Sequence, residues 1–459
     1  MKRTLLTIIL AGTLLNGCTA LNMSSKGPLI VPAEGPAPGV PAEVEYADYW
    51  VRTSDAPDDI IMTPAEIEGF NETNPMNGEG IHDVAAIPDE IDGVEIRRYI
   101  SASARGLLDN SYFISENIPL EAAERKRIVA LMDTSSVPDV ITPKKGLILR
   151  RVQTKRWPTT VLFTTTPGDL EFDSTVGSAL DTGHPVALLH VSRDGRWSFV
   201  QNEIYSCWIP SNAVAYGDTE TISALRDKSN PVVATAHRVS VFASPDDKSA
   251  VADIQMGSWL PLKMAGRNYC QVIFPGRGEN NELVAKVGFV KRDSGISLGF
   301  LPYTLRNVYR QCFVPYGHRY GWAGMYEERD CSRLVMDVFR CFGFKMPRTS
   351  GGLLKASPAT LDLKDYDRQT RLEILKSSPG GISIVGWPGH VMIYLGEING
   401  TPYVVQSTWA MRQPLSKDID RTHRLARVLV SDLFMGEGSQ RGARIDRITN
   451  VTIFGKYTF

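Results

Sequence analysis

Tyr320-Gly-Trp-Ala-Gly-Met-Tyr-Glu-Glu-Arg-Asp-Cys331-Ser-Arg-Leu-Val335 decides the fold. It joins a Gly-rich aromatic loop to a run whose apolar residues recur at helical spacing. Leu334, Val335, Val338, Phe339 and Phe342 fall on one face, and Gly343 supplies a stop. Asp330 is a good N-cap, which puts Cys331 in the first turn. There the unpaired N–H groups and the helix dipole favour a thiolate. A thiolate needs a base. Downstream, Gly386-Trp-Pro-Gly-His390-Val-Met-Ile-Tyr-Leu-Gly396 opens an apolar strand with a histidine just after a Pro-Gly turn. Asn399-Gly400 is a hairpin signal, and the return strand Pro402–Ser407 brings Gln406 back beside His390. A lone cysteine is more often a small buried apolar residue, and a histidine at a strand end is usually an edge residue. Here a capped Cys, a His-led strand and a polar return strand coincide, which is the arrangement of nucleophile, base and orienter. His318 and His423 are rival bases, but neither opens an apolar strand.

These residues resemble the NlpC-type cell-wall cysteine peptidases of bacteria. The matching pieces are Tyr320–Gly324, Asp330–Ser332, Phe342–Ser350, Pro388–Gly396 and Pro402–Trp409. The resemblance implies an α+β, papain-like catalytic domain with Cys331 as nucleophile, His390 as base and Gln406 as orienter. It places Tyr320, Trp322, Asp330 and Ser332 against the substrate, although Tyr320 as wall and Asp330 as N-cap alone is an equal reading. The family commonly carries His where this chain has Gln406; an amide oxygen still accepts the imidazole N–H. The implied reaction cuts the γ-D-glutamyl–diamino acid bond of peptidoglycan stem peptides through an acyl-enzyme. No cofactor or metal is expected, and the protein is expected to be a monomer. Two other classes stay open: a catalytically inactive wall-binding lipoprotein, and an amidase or acyltransferase of the same fold.

The rest of the chain fits an envelope protein. Across 459 residues, 50 Lys and Arg balance 51 Asp and Glu, and no basic stripe, phosphate loop or CxxC spacing occurs, so nothing points to nucleic acid. Residues 1–17 read as a signal peptide: Met1-Lys-Arg-Thr4 is basic, and Leu5–Leu15 is nearly all apolar but too short for a confident span. Leu15-Asn-Gly-Cys18 resembles a bacterial lipobox, which implies a lipid anchor on Cys18. Thr19 in place of Asp implies the periplasmic face of the outer membrane rather than the inner one. Residues 18–44 are a Pro/Gly/Ala-rich linker, and 45–140 are expected to form a partly helical stabilising segment. In that segment Thr63-Pro-Ala-Glu66 starts one helix, and Leu120–Met132 reads as another with Pro119 in its first turn.

From about Lys145 the texture changes to short apolar runs with dense turn signals, which argues for small β-barrels. The same order of runs recurs after Asn230. It resembles a bacterial SH3-like domain twice, at 141–218 and 229–299, ahead of a catalytic domain at 302–459. Of six cysteines, Cys18 goes to lipid and Cys331 to catalysis. Cys207, Cys270, Cys312 and Cys341 lack paired spacing; only Cys312 and Cys341 lie on neighbouring helical stretches.

Overall fold

The computed structural model describes residues 37–457 apart from 38, 75–80 and 82. The expected signal peptide and lipid-bearing Cys18 lie outside the described residues. Among the described residues no helix is long and apolar enough to cross a membrane.

Residues 81–226 and 273–286 form one compact unit, and residues 37–74, 227–272 and 287–457 form another. Residues 45–140, expected as one segment, divide between the two. Helix α1 (Ala47–Thr53) and helix α2 (Pro64–Thr73) belong to the unit of Cys331, while α3 (Gly93–Asp109) and α4 (Ala122–Met132) belong to the other. The physical reason is where each helix buries its apolar residues. Ile96, Ile100, Ala104 and Leu107 of α3 share a cluster with Trp157, Phe163, Trp197, Phe199 and Trp208. There the Trp157 indole stacks on Phe163 at 5.4 Å and donates to the Ser103 carbonyl at 3.0 Å. Helix α4 begins at Ala122, not Leu120: Glu121 is its N-cap in an extended conformation, and the Leu120 amide bonds outside the helix to the Tyr112 carbonyl at 2.7 Å.

Beside these helices runs a seven-stranded sheet. Its strands are β1 (Lys144–Ile148), β2 (Val152–Lys155), β3 (Val176–Leu180), β4 (Pro185–Val191), β5 (Trp197–Asn202), β6 (Ser206–Pro210) and β7 (Val214–Tyr216), in the order β3-β2-β6-β5-β4-β1-β7. After α5 (Thr219–Leu225) come β8 (Pro231–Ala234), β9 (Arg238–Phe242), β10 (Ala250–Gln255), β11 (Trp259–Ala265), β12 (Tyr269–Arg277), β13 (Leu283–Lys291) and β14 (Ile296–Leu298). Their order is β10-β9-β13-β12-β11-β8-β14. The two sheets therefore share one strand order, so the loose sequence repeat is a repeat of topology.

The unit of Cys331 continues with α6 (Leu305–Phe313), α7 (Cys331–Arg340), α8 (Ser350–Leu353), β15 (Thr360–Asp362) and α9 (Arg368–Ser377). Strands β16 (Ser383–Trp387), β17 (His390–Ile398), β18 (Thr401–Ser416) and β19 (Ile419–Asp432) then precede α10 (Arg444–Arg447) and β20 (Asn450–Ile453). The six strands pair antiparallel in the order β15-β20-β16-β17-β18-β19, and α7 packs against β17 and β18. This is an α+β fold with the Cys331 helix on an antiparallel sheet.

Trp50 of α1 is a buried pin in this unit, 3% exposed. Its indole donates to the Val44 carbonyl at 2.9 Å, stacks on Tyr309 at 6.3 Å and tilts against Tyr403 at 6.1 Å. Gly396, at φ 137°, leaves room for that ring: a Cβ there would lie 3.2 Å from the indole. Trp50→Ala is expected to cost about 3–5 kcal/mol, the usual range for emptying a buried aromatic site. Urea unfolding of the two proteins measures it; an unchanged midpoint would mean that α1 is not part of this core.

Candidate active site

Asp330 caps α7: its side chain accepts from the Arg333 amide at 2.8 Å. That fixes Cys331 as the first helical residue, 3% exposed, in the turn whose amides lack intrahelical acceptors. Every residue of α7 up to Phe339 is buried. The predicted apolar face accounts for part of this, and Arg329, Arg333 and Asp337 for the rest. Arg329 Nε and Arg333 Nε donate to the two Asp337 oxygens at 2.8 and 2.7 Å, so these charges are buried as a set.

Both Asp330 oxygens are in use. Oδ2 accepts from Arg348 Nη2 at 2.6 Å and from the Ala323 amide at 3.1 Å; Oδ1 also accepts from Arg348 Nη1 at 3.1 Å and Ser332 Oγ at 3.2 Å. Arg348 Nη1 donates as well to Ser332 Oγ at 2.7 Å. Burial pushes the Asp330 carboxyl up, but Arg348 and the bonds from Arg333 and Ser332 outweigh it and hold it below the usual carboxylate range. Asp330 and Ser332, expected on the substrate, thus lie in an interior network that anchors the turn of Cys331 to the loop ahead of α8.

His390 begins β17 across a two-residue turn, with Trp387 opposite it in the ladder. Gly386 makes that turn possible, since a Cβ there would meet the His390 carbonyl oxygen at 2.2 Å. The Gly389 amide donates to Ser350 Oγ at 2.9 Å, so the turn is tied to α8. His390 Nε2 lies 2.8 Å from Gln406 Oε1, while Gln406 Nε2 donates to Ser431 Oγ at 2.5 Å. With its oxygen toward the ring, Gln406 accepts from Nε2–H and leaves Nδ1 as the basic nitrogen. Gln406 and Ser431 are fully buried, and Ser407 Oγ next to Gln406 donates to the Arg329 carbonyl at 2.8 Å. The strand of Gln406 and the loop ahead of Cys331 are therefore bonded directly.

Residues 317–408 match the NlpC/P60 family, and residues 162–210 match an SH3 domain of the SH3b1 type. The chain carries an NlpC/P60 domain. A solved structure of an NlpC/P60 endopeptidase from Photobacterium damselae subsp. piscicida superposes on 93% of this chain and 98% of its own, with a TM-score of 0.76 at 19% identity. It shows the same fold along nearly the whole chain. An NlpC/P60 family protein from Bacillus cereus ATCC 10987 aligns with 67% of this chain and 98% of its own, at 16% identity and a TM-score of 0.46. No curated protein matches the chain.

Around the NlpC/P60 site the remaining candidates divide. The Tyr320 amide bonds to the Ala426 carbonyl at 2.7 Å, and its buried ring meets Trp409 edge-on at 6.0 Å. Trp322 opens a turn in which Ala323, Tyr326 and Glu327 all adopt positive φ (51°, 58° and 61°), a strained conformation concentrated beside the site. The rival bases are engaged elsewhere. His423 Nε2 lies 2.6 Å from Gln413 Oε1, and His318 Nδ1 lies 3.2 Å from Glu328 Oε1.

His237, His318 and Glu328 hold their ligand-type atoms within 4.8 Å of one another. The set does not suit a metal ion. Arg329, which can only donate, points Nη1 at His237 Nδ1 over 2.6 Å, so the neutral ring carries its proton on Nε2, the nitrogen facing Glu328 at 3.7 Å. An ion would need that nitrogen's lone pair.

The described cysteines other than Cys331 (Cys207, Cys270, Cys312 and Cys341) are buried free thiols. Burial pushes the Cys312 and Cys341 thiols up, which keeps them inert. The sequence reading missed four residues that frame the site. Arg348 lay within the family-like stretch without a role, and Ser431, Arg444 and Arg447 had no motif around them.

Proposed function

We propose that the protein is a peptidoglycan endopeptidase that cuts the γ-D-glutamyl–diamino acid bond of stem peptides, held to the periplasmic face of the outer membrane through lipid on Cys18. NlpC/P60 members are cysteine peptidases of peptidoglycan, and some are inactive; the observation that carries activity here is the His390–Gln406 hydrogen bond beside the capped Cys331 helix. His390 Nδ1 takes the Cys331 proton, and the thiolate attacks the γ-carbonyl carbon of D-glutamate. The Cys331 N–H at the helix terminus receives the oxyanion. Collapse breaks the C–N bond as His390 returns the proton to the leaving amine. Water, deprotonated by His390, then releases the acyl group and restores the thiol. Tyr320 and Trp322 serve as cleft wall, and Asp330 and Ser332 act through the turn they brace. The SH3-like domains hold wall peptide. Purified sacculi test this: the protein should release soluble fragments, whereas co-sedimentation without release would leave only a binder.

Gln406 is neutral, so it fixes the His390 tautomer but stabilises imidazolium less than a charged partner, since charge-assisted bonds are roughly twice as strong. Gln406→Ala should lower turnover about tenfold to a hundredfold, a typical share of general acid–base catalysis. Gln406→His should preserve or raise the rate. Turnover of one stem peptide across pH decides it; wild-type rates for Gln406→Ala at every pH would remove Gln406 from the mechanism.

A further inference from the structure

Arg444 is 6% exposed, yet it forms no ion pair among the described residues. Its three hydrogen-bonding partners are the Thr408 hydroxyl at 3.1 Å and the sulfurs of Met435 and Met392 at 3.3 and 3.6 Å. Met392 and Thr408 follow His390 and Gln406 by two residues, and alternation puts each on the same sheet face as its predecessor. The guanidinium therefore lies on the face that bears the base and its orienter. Three residues further on, Arg447 stacks over Trp387 at 4.1 Å, and the Trp387 ring lies 5.3 Å from the His390 ring. Arg447 is half-buried and likewise has no ion pair or hydrogen bond among the described residues.

Two unpaired guanidinium groups beside one imidazole are costly without an anion. Among the described residues no carboxylate forms an ion pair with Arg444 or Arg447; the negative groups that act on Arg444 are Asp432 and Cys331. Asp432 is close enough to act on Arg444, but it accepts the amides of Met435 and Phe434, and burial holds its carboxyl above the usual value. Asp446 stands on the same short helix and faces Arg368 at 3.8 Å. Arg441 and Arg412 add further positive charge: Arg441 acts on Arg447, and Arg412 on Arg441. Burial, then Arg447, brings Arg444 down to about 9.

We propose that Arg444 and Arg447 form a carboxylate subsite on the leaving-group side of His390, which takes the carboxylate of the diamino acid. The side follows from the chemistry. His390 must protonate the departing amine, so the groups that flank its ring at Trp387 and Arg447 face the residue carrying that amine. Arg447 closes on the carboxylate from the Trp387 face, and Arg444 does so from the Met392 and Thr408 face. Arginine suits this task because its planar donors match a carboxylate's two oxygens.

The inference rests on the Cys331–His390 reading for its choice of ligand, and its test does not require turnover. Calorimetry on the full chain with Cys331→Ala compares L-Ala-γ-D-Glu-diaminopimelate with the same tripeptide whose diaminopimelate carboxylates are amidated. The carboxylate form should bind about tenfold tighter or more, the scale of a hydrogen bond to a charged group. In the added presence of Arg447→Met, or of Arg444→Met, that preference should fall to near parity, while Arg447→Lys should keep most of it. Equal affinity of the two peptides for the Cys331→Ala protein, no measurable binding of either, or a preference unchanged by both Met variants overturns the subsite. Selective binding by a wild-type protein that cuts neither peptide would sustain the subsite and sink the peptidase reading.

Discussion

Cys331→Ala is expected to leave a folded protein without the proposed stem-peptide cleavage. Removing a nucleophile takes away the covalent path altogether, and such losses run to about 10⁴-fold or more. The fold should tolerate the change. The deleted atom is one sulfur at the first position of a helix whose other buried residues, Leu334, Val335, Val338 and Phe339 among them, carry the packing. Alanine is also the best helix former, so the expected stability change is within about 1 kcal/mol. Turnover and thermal melting of the same preparation check both halves. Retained activity would move the nucleophile away from Cys331, and lost activity with a collapsed melting point would leave a structural cysteine as the explanation.

Arg348→Met should be the most destabilising single change near the site. Arg348 and Asp330 are 5% and 9% exposed in their side chains and meet through two bonds, so the variant strands a buried carboxylate. Removing one partner of a buried pair costs about 3–5 kcal/mol. The loss should depend on pH with a defined sign. In the wild type the Asp330 carboxyl is held below its unfolded value, so its contribution is present above the unfolded value and fades as pH falls through the lower folded one. In Arg348→Met burial acts unopposed by that guanidinium and raises the carboxyl, so the variant's deficit should shrink as the medium is acidified. Urea unfolding at neutral and acid pH measures both. Activity should fall with stability, because the network that holds Asp330 also sets the turn of Cys331. A variant as stable as wild type at neutral pH would mean that Arg348 does not hold this turn.

The reach of the sequence reading follows the range of the forces involved. The Asp330 cap and the Cys331 helix are encoded within a few residues, and so is the turn ahead of His390, where Gly386 and Gly389 meet steric needs of the local backbone. The N-terminal helices could be found one by one, but not their division between units: that depends on which distant surface Trp50 or Ile96 fills. The return strand was read to Ser407 and runs to Ser416, because Pro414 and the charges beyond Trp409 look like a loop and yet sit in the exposed end of a long hairpin. From sequence Asp330 reads equally as an N-cap alone and as a substrate contact, since its partner, Arg348, lies 18 residues away with no periodicity linking them. Arg444 and Arg447 leave no trace in pattern, for their meaning comes from what they lack.

Cys331 and His390 are proposed to cut one defined bond. Mass spectrometry of L-Ala-γ-D-Glu-diaminopimelate incubated with the full chain tests it most directly. Two products are expected, L-Ala-γ-D-Glu and free diaminopimelate, formed by the wild type and by neither Cys331→Ala nor His390→Ala. An intact tripeptide, cleavage at the L-Ala–D-Glu bond, or the same products from the Cys331→Ala protein would contradict it.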